Sequence, residues 1–596
     1  MTDDAVATRA YRAARDRLSS FAGDPRSAAA EFRWPDVGPR FNWAVDWFDA
    51  IARGNDREAL VVLELDGSVT RRTFDQLSRE SDRLAAWLAQ RGVGRGDVVV
   101  LMLGNQVELW QSMLAIMKLG GVVLPTAPTV RGADLRDRVA RSGARHVICD
   151  AGDVEAFADV DPAVVRVSVG AADGWRDLRD AQQHDAPPAP HPGTAPDDPL
   201  LFYFTSGTTS RPKLVEHSQV SYPVGHLPTA YWLGLRAGDR HLNISSPGWG
   251  KHAWSCFFAP WIAESTVLVY NYQRFEPARL LAVLREQQVT TLCAPPTVWR
   301  MLVGVDLGDR PAELRELIGA GEPLNPEVIS EIRDAWGLTV RDGYGQTETT
   351  AQVGNVPGAP IKPGSMGLPL PGVPVVLVDP VTGERIDGVG EGELCLDLSQ
   401  EPLALMTQYR DDPERDAQAR VGGYYHTGDV AERDADGYIT FIGRSDDVFK
   451  SSDYKISPFE LESVLVEHPA VAEAAVVPVP DPLRLAVPKA YVALASGVEP
   501  SAETARSILA HARTELNAYQ RVRRIEFAEL PKTISGKIRR VELREREAAL
   551  AAVGETAPNE WREEHFPDLR DATGTLRTAR QPERTCHGME TRTSLG

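Results

Sequence analysis

The sequence predicts an α/β protein: a large N-terminal domain of layered α/β sub-domains, followed by a small α+β C-terminal domain. Three observations carry this. Strand-like and helical patterns alternate through the first two-thirds of the chain, which favours largely parallel sheets covered by helices. After the stretch "GYITFIGRSDDVFKSSDYKISPFELESVL" the alternation gives way to a short mixed module. A chain of 596 residues also exceeds what one core supports, so two or three domains are expected.

The elements follow in order. In "GDVVVLMLGNQVELWQSMLAIMKLGGVVLPTAP" a strand is expected near 98 to 103, then a helix whose Val107, Trp110, Leu114 and Met117 recur at three- and four-residue spacing. Gly120 and Gly121 stop that helix, and Val122 to Leu124 open the next strand. A Pro-rich stretch, "APPAPHPGTAPDDP" (186 to 199), reads as an exposed connector dividing sub-domains. Leu200, Leu201 and Phe202 then form an apolar run that ends in the hydroxyl-rich loop "YFTSGTTSRPKLVEHS". Helix and strand alternate again at 277 to 296. At "NPEVISEIRDAWGLTVRDGYGQTE" Asn325 caps a helix, Pro326 occupies its first turn and Gly337 ends it. The final module is expected to hold helices near 458 to 467 and 502 to 517, with strands near 471 to 479, 489 to 495 and 523 to 528. From 549 the chain is polar with little periodicity, and disorder is expected there.

Composition narrows the function classes. With 43% hydrophobic and 25% charged residues the chain is ordinary for a globular protein, and its net charge of −19 argues against nucleic-acid and anionic-membrane surfaces. No apolar run is long enough to span a bilayer, and "MTDDAVATRAYRAARDRL" lacks a basic and then apolar leader. A cytoplasmic location is expected. The five cysteines are scattered, without a CxxC pair or clustering with histidine, so neither a disulfide framework nor a cysteine metal site is expected.

The loop from Thr205 to Lys213 is the first candidate site. It is not a Walker loop, since no second glycine precedes the lysine and no Ser/Thr follows it. The hydroxyls of Thr205, Ser206, Thr208 and Thr209, the backbone at Gly207 and the charge of Lys213 suit phosphate oxygens. A Ser/Thr-rich turn accounts for the same residues, and the loop alone does not choose.

Five further motifs follow it in order: "GAGEPL" (319 to 324), "DGYGQTE" (342 to 348), "YHTGD" (425 to 429), "GRSDD" (443 to 447) and "PKTISGKIRR" (531 to 540). With them the sequence resembles the adenylate-forming superfamily of acyl-CoA synthetases, carrier-protein adenylation domains and luciferases, and within it the medium-chain acyl-CoA synthetases. The resemblance covers roughly residues 40 to 546 and implies an N-terminal extension at 1–40, a large ATP- and acid-binding domain at 41–445, a small mobile lid at 446–548 and a tail at 549–596.

The resemblance implies that the 205 to 213 loop takes the β- and γ-phosphates of ATP. Glu348 would hold Mg²⁺, which ordinarily takes one or two carboxylates plus substrate phosphates. Thr347 would touch the α-phosphate. Gly321, Glu322 and Pro323, with Asp342, Gly343 and Tyr344, would wall the adenine. Asp429 would bind both ribose hydroxyls, and Arg444 the ribose or phosphate. Lys537 corresponds to the catalytic lysine that bridges carboxylate and α-phosphate during in-line transfer, and Asp446 to the hinge about which the lid turns. Taken singly, Glu348 also reads as a helix-start carboxylate, Asp429 as a turn residue, Arg444 as a surface ion pair and Lys537 as an exposed lysine.

The implied reaction joins a small-molecule carboxylic acid to coenzyme A with ATP. Trp249, in "SSPGWGKHAWSCFFAPW" with Trp254, Phe257 and Phe258, falls where this branch builds its acyl pocket, and a medium-chain or aromatic acid is expected. Ser210 stands where the family loop usually has glycine. Asp453 stands where many members have glycine beside the pantetheine tunnel, and its charge there leaves open transfer to a non-CoA acceptor such as an amine or a carrier protein. Oligomeric state is not readable from the chain.

Overall fold

The computed structural model describes residues 3–205, 212–451, 454–481, 485–532, 537–553, 555–557 and 559–569. It forms two compact units, Met1–Val448 with Lys532–Val541, and Phe449–Pro531 with Glu542–Gly596.

In the larger unit the apolar runs Val98–Met102, Val122–Pro125 and His146–Asp150 become buried strands, because their β-branched residues are covered on both faces. They lie inside an eight-stranded sheet ordered Gln408–Tyr409, Lys213–Ser218, Pro199–Thr205, Val122–Pro125, Val98–Met102, His146–Asp150, Val165–Val169, Arg176–Asp177. A second sheet of seven strands runs Val340–Arg341, Glu316–Gly319, Thr291–Ala294, Arg240–Asn243, Thr266–Tyr270, Glu58–Leu63, Val69–Thr73, parallel except at the last pair.

The helix Val107–Lys118 follows its predicted start and stop, and every residue in it but Glu108 is buried. It packs on the helix Phe74–Ala89, which begins with a capping box of Thr73 and Gln76. One core cluster joins Val99, Leu101 and Val123 of the first sheet to Leu60, Val267 and Val269 of the second. The N-terminal segment belongs to the same cluster: Tyr11 and Leu18 of the helix Asp3–Ser19 and Phe32 are buried in it.

A five-stranded antiparallel sheet, ordered Arg385–Ile386, Val375–Val378, Gly390–Asp397, Tyr424–Arg433, Ile439–Arg444, completes this unit's strands together with a small three-stranded sheet that includes Gly343–Gly345 and Ala351–Gly354. Between Gly390–Asp397 and Tyr424–Arg433 the register jumps: Glu393 faces Val430 whereas Cys395 faces His426. Thr427, Gly428 and Asp429 stand opposite the single Leu394 in that bulge, which is how a strand comes to present side chains off its regular face.

The smaller unit holds a four-stranded sheet, Val471–Asp481, Leu485–Leu494, Arg524–Phe527 and Glu560–Arg562, packed by the helices Pro458–Val466 and Ala502–Glu515. Ser457 and Ser501 cap those helices through their side chains.

Two expectations are corrected. The Pro-rich stretch does not divide sub-domains, because the strands Arg176–Asp177 and Pro199–Thr205 on either side belong to one sheet. The described residues between 549 and 569 are not structureless. The helix Arg540–Val553 continues into them, Glu560–Arg562 pairs with Arg524–Phe527, and Phe566 and Leu569 are buried. The signal for that order lies far away in sequence. Lys489 is fully buried, and its ammonium holds Glu526 at 2.8 Å, Glu547 at 2.6 Å and Glu560 at 2.8 Å, so polar residues of the C-terminal segment complete the charge of an interior lysine.

Among the described residues no helix is long and apolar enough to cross a membrane, and Cys149, Cys256, Cys293 and Cys395 are buried and unbridged.

Candidate active site

Two clusters gather most of the predicted residues. The first forms around Asp429. Thr427, Gly428 and Asp429 lie at the bulge of the strand Tyr424–Arg433, where Asp429 accepts from Gln346 Nε2 at 2.7 Å, from the Tyr344 hydroxyl and from Arg444 Nη1 at 3.1 Å. Gln346 Nε2 and Arg444 Nη1 also donate to the Thr427 carbonyl, at 2.9 and 3.2 Å. Burial pushes the Asp429 carboxyl above its usual range, against the pull of the Arg444 guanidinium and the donors from Tyr344 and Gln346. This carboxylate is desolvated yet well supplied with donors. Gly428 has φ +73°, and a Cβ there would fall 2.9 Å from Arg444 Nη2, so the turn needs glycine both for its backbone and to seat the arginine.

The second cluster forms around Glu348, which is 7% exposed. Its Oε1 accepts from the Tyr409 hydroxyl at 2.8 Å and lies 3.4 Å from Lys213 Nζ. Lys213 also donates to the Tyr409 oxygen at 3.0 Å, with Nζ 4.8 Å from the ring centroid. Burial, and next the Glu348 charge, hold the Tyr409 phenol far above its ordinary range, so it stays a donor to the carboxylate. Among the described residues Glu348 Oε2 carries no hydrogen bond.

Thr347 is fixed from behind. The buried His217 donates through Nε2 to the Thr347 carbonyl at 2.8 Å and accepts the Ser221 hydroxyl at Nδ1, 3.1 Å away. Burial pushes His217 down to about 4, which keeps the ring neutral in this arrangement. A Cβ on Gly250 would lie 3.5 Å from the Tyr222 hydroxyl and 4.0 Å from Thr347 Oγ1, so the "GWGK" turn passes directly beside Thr347.

The segment Gly321, Glu322, Pro323 meets the other adenine-side segment through Asp342, whose Oδ1 accepts the Gly343 N–H at 2.9 Å and Oδ2 the Leu324 N–H at 3.3 Å. Burial raises the Asp342 carboxyl to about 7. A Cβ on Gly343 would fall 2.3 Å from the Trp232 ring, which admits only glycine. Trp249 is half-buried at the cap of the short helix Gly250–Ala253. Lys251 donates to the Ala320 carbonyl at 3.1 Å and ties that helix to the Gly321 segment, with burial holding its ammonium below the usual range. Phe257 and Phe258 are both fully buried against Trp43, with ring centroids 5.5 and 4.9 Å away.

Asp446 is exposed, with Oδ1 3.5 Å from Arg444 Nε. Lys537 is exposed on Lys532–Val541, where Lys532 and Ile538 form an isolated antiparallel bridge; this segment groups with the larger unit rather than with the rest of the expected lid. Thr205 and Lys213 are cross-strand partners, while Ser206, Gly207, Thr208, Thr209, Ser210 and Asp453 lie outside the described residues.

Three residues of these clusters were not foreseen. Gln346 sits inside "DGYGQTE" and its amide was available to be read as a partner of a carboxylate. Tyr409 and His217 carry no local signal, since each acts on a residue more than a hundred positions away or, for Tyr409 and Glu348, 61.

Two α/β sheets, a bulged antiparallel sheet presenting a donor-rich carboxylate and a small α+β unit are the architecture of adenylate-forming enzymes. The chain belongs to the AMP-binding enzyme family. The family model matches residues 47–408, and the model of the AMP-binding enzyme C-terminal domain matches 460–537. Relatives include 4-hydroxybutyrate–CoA ligase 1 of Metallosphaera sedula, 42% identical over 88% of this chain and 93% of that protein. The mitochondrial acyl-coenzyme A synthetase ACSM3 of Mus musculus is 37% identical over 86% and 91%. The solved structure of the anthranilate CoA ligase AuaEII in complex with anthranoyl-AMP superposes with a TM-score of 0.77 at 28% identity, over 86% of this chain and 99% of that one.

Proposed function

We propose that the chain is an AMP-forming acid–CoA ligase: a carboxylate and ATP give acyl-AMP and pyrophosphate, and coenzyme A then gives acyl-CoA and AMP. In the first step a carboxylate oxygen attacks the α-phosphorus and the bond to pyrophosphate breaks. In the second the CoA sulfur, losing its proton, attacks the acyl carbon and AMP leaves. The observation that carries the reading is the convergence of "DGYGQTE" and "YHTGD" on one buried carboxylate, Asp429, through Tyr344 and Gln346. A carboxylate that already gathers neutral donors can exchange them for the two hydroxyls of a ribose. The relatives, a CoA ligase and an acyl-coenzyme A synthetase, support coenzyme A as acceptor over an amine or carrier protein.

In this reading Thr347 contacts the α-phosphate, Lys213 and the loop from Thr205 the β- and γ-phosphates, and Gly321, Glu322, Pro323, Asp342, Gly343 and Tyr344 the adenine. The Glu348 carboxylate suits Mg²⁺, since one of its oxygens is oriented by Tyr409 and Lys213 while the other is open to a hard cation. When bound, Mg²⁺ supplies charge neutralisation for the phosphates. Lys537 stabilises charge on the transferring group, Asp446 is the hinge, and Asp453 borders the acceptor's path. Trp249 faces the acid, which we take to be a medium-chain or aromatic one. A cytoplasmic enzyme of fatty acid metabolism is the corresponding cellular role, checked by fractionation.

The test is acid-dependent AMP release across medium-chain and aryl carboxylates, with and without CoA, with products identified by mass spectrometry. Acyl-CoA is expected; acyl-AMP without thioester at any CoA concentration would overturn the acceptor assignment. Lys537→Ala should leave ATP binding nearly intact and lower adenylation by orders of magnitude. Undiminished adenylation would remove Lys537 from the mechanism.

A further inference from the structure

The bulge that presents Asp429 has a second side. Glu393 and Cys395 are two apart on the strand Gly390–Asp397 and so share a face, and His426 is the direct cross-strand partner of Cys395. Sequence spacing gave no hint of this, since Cys395 and His426 are 31 residues apart. In the fold Cys395 Sγ lies 3.6 Å from His426 Nδ1, and Nδ1 lies 2.9 Å from Glu393 Oε2. Sulfur, nitrogen and oxygen all fall within 4.8 Å of one another.

The hydrogen bonding of His426 makes the arrangement informative. Its Nε2 faces the Val421 carbonyl at 3.2 Å, an acceptor, so that nitrogen carries a proton. Nδ1 is then the ring nitrogen left to face both the Glu393 carboxylate and the Cys395 sulfur, so one donor of each kind converges on the same point. Second contacts of the kind that orient metal ligands are in place: Val421 fixes the imidazole, and the Gly428 N–H donates to Glu393 Oε1 at 2.9 Å, which turns Oε2 toward the histidine.

We propose that Glu393, Cys395 and His426 form a binding site for a thiophilic divalent cation of the zinc class, distinct from the Mg²⁺ assigned to Glu348. Thiolate, imidazole and carboxylate are the donors zinc takes, and three protein ligands leave a fourth position for water. Metal–ligand bonds of about 2.0–2.3 Å put tetrahedral ligand atoms roughly 3.3–3.6 Å apart. The sulfur–nitrogen distance of 3.6 Å already matches, and the nitrogen–oxygen distance of 2.9 Å must lengthen by a few tenths of an ångström. Binding releases the Cys395 thiol proton to solvent, so one thiolate and one carboxylate balance the two charges of the ion and the site is neutral. Such a site tolerates the burial seen: Cys395 is fully buried, whereas Glu393 and His426 side chains are 12% and 26% exposed and leave an entry. Because Glu393 holds Gly428 through its other oxygen, occupancy braces the turn that ends in Asp429.

The experiment uses the full chain with Cys586→Ser, which removes the one cysteine outside the described residues, stripped with chelator and kept in excess Mg²⁺. Zinc uptake is followed by calorimetry, and cobalt substitution by absorption. One equivalent of zinc is expected, with a thiolate-to-cobalt charge-transfer band in the near ultraviolet. Cys395→Ser, nearly isosteric, should abolish the band and weaken zinc binding by more than about 100-fold, and His426→Gln should do the same. Zinc uptake that survives both substitutions, absence of stoichiometric uptake, or a cobalt complex without the thiolate band would each overturn the site and leave a Glu393–His426 contact. None of these readouts depends on acid–CoA ligation, so the two assignments stand or fall separately.

Discussion

Tyr409→Phe tests the Glu348 cluster most directly, because it removes one oxygen and keeps the ring. That hydroxyl donates to Glu348 Oε1 at 2.8 Å and accepts from Lys213 Nζ at 3.0 Å, while the ring, 2% exposed, stays under the ammonium. A hydrogen bond to a charged group contributes about 1.5–3 kcal/mol. Lys213 remains 3.4 Å from Glu348 and takes up part of the lost orientation, so the lower end applies. About 1.5 kcal/mol corresponds to roughly tenfold in an equilibrium or rate ratio. Since the freed groups are those assigned to the phosphates and the cation, the loss should fall on the KM for ATP and on the Mg²⁺ concentration giving half-maximal rate. The KM for the acid should not move. Initial rates of pyrophosphate release, measured against ATP and then against Mg²⁺ at saturating acid, provide the assay. If both constants stay within about twofold of the unsubstituted enzyme while the melting temperature falls, Tyr409 is a packing residue and the Glu348 reasoning fails.

Gly428→Ala should raise the KM for ATP about tenfold or more and cost about 1–2 kcal/mol of stability, since it forces a left-handed backbone on alanine and unseats Arg444; nucleotide titration and thermal melts check both. Stability should fall as pH drops below the ordinary imidazole range. The buried His217, His241 and His252 are held down to about 4, 3 and 3, so on acidification the unfolded chain takes up protons the native state refuses. The stabilisation is complete above pH 6.5 and is lost toward pH 4, at up to about 1.4 kcal/mol per pH unit for each ring; His217→Gln should flatten the melting-temperature profile in that window, and an unchanged slope would exclude His217 as a contributor. Lys489→Met strands three carboxylates in the smaller unit and should destabilise it by about 3–5 kcal/mol, seen as an earlier unfolding transition and faster proteolysis near residue 555; an unmoved transition would mean that the lysine does not anchor the C-terminal segment.

What the sequence determined alone is whatever a few neighbouring residues decide. The helix Val107–Lys118 and its glycine stop, the Asn325 and Pro326 start of Pro326–Trp336 with Gly337 in the left-handed region, and the strands flanking them depend on spacing and caps within a dozen positions. The ordered motifs likewise named Asp429, Tyr344, Arg444, Lys213 and Glu348 before any contact was known. Tertiary structure decided which of them meet and what else meets them. Tyr409 reaches Glu348 because the edge strand Gln408–Tyr409 returns to pair with Lys213–Ser218. His426 reaches Cys395 because two strands pair across an irregular register, and a bulge is invisible to a period of two. The segment after 549 looked structureless because its partner, Lys489, is about sixty residues upstream. Local propensity is read along the chain, whereas a buried charge or a carboxylate's donors are supplied by whichever segment the fold returns to it.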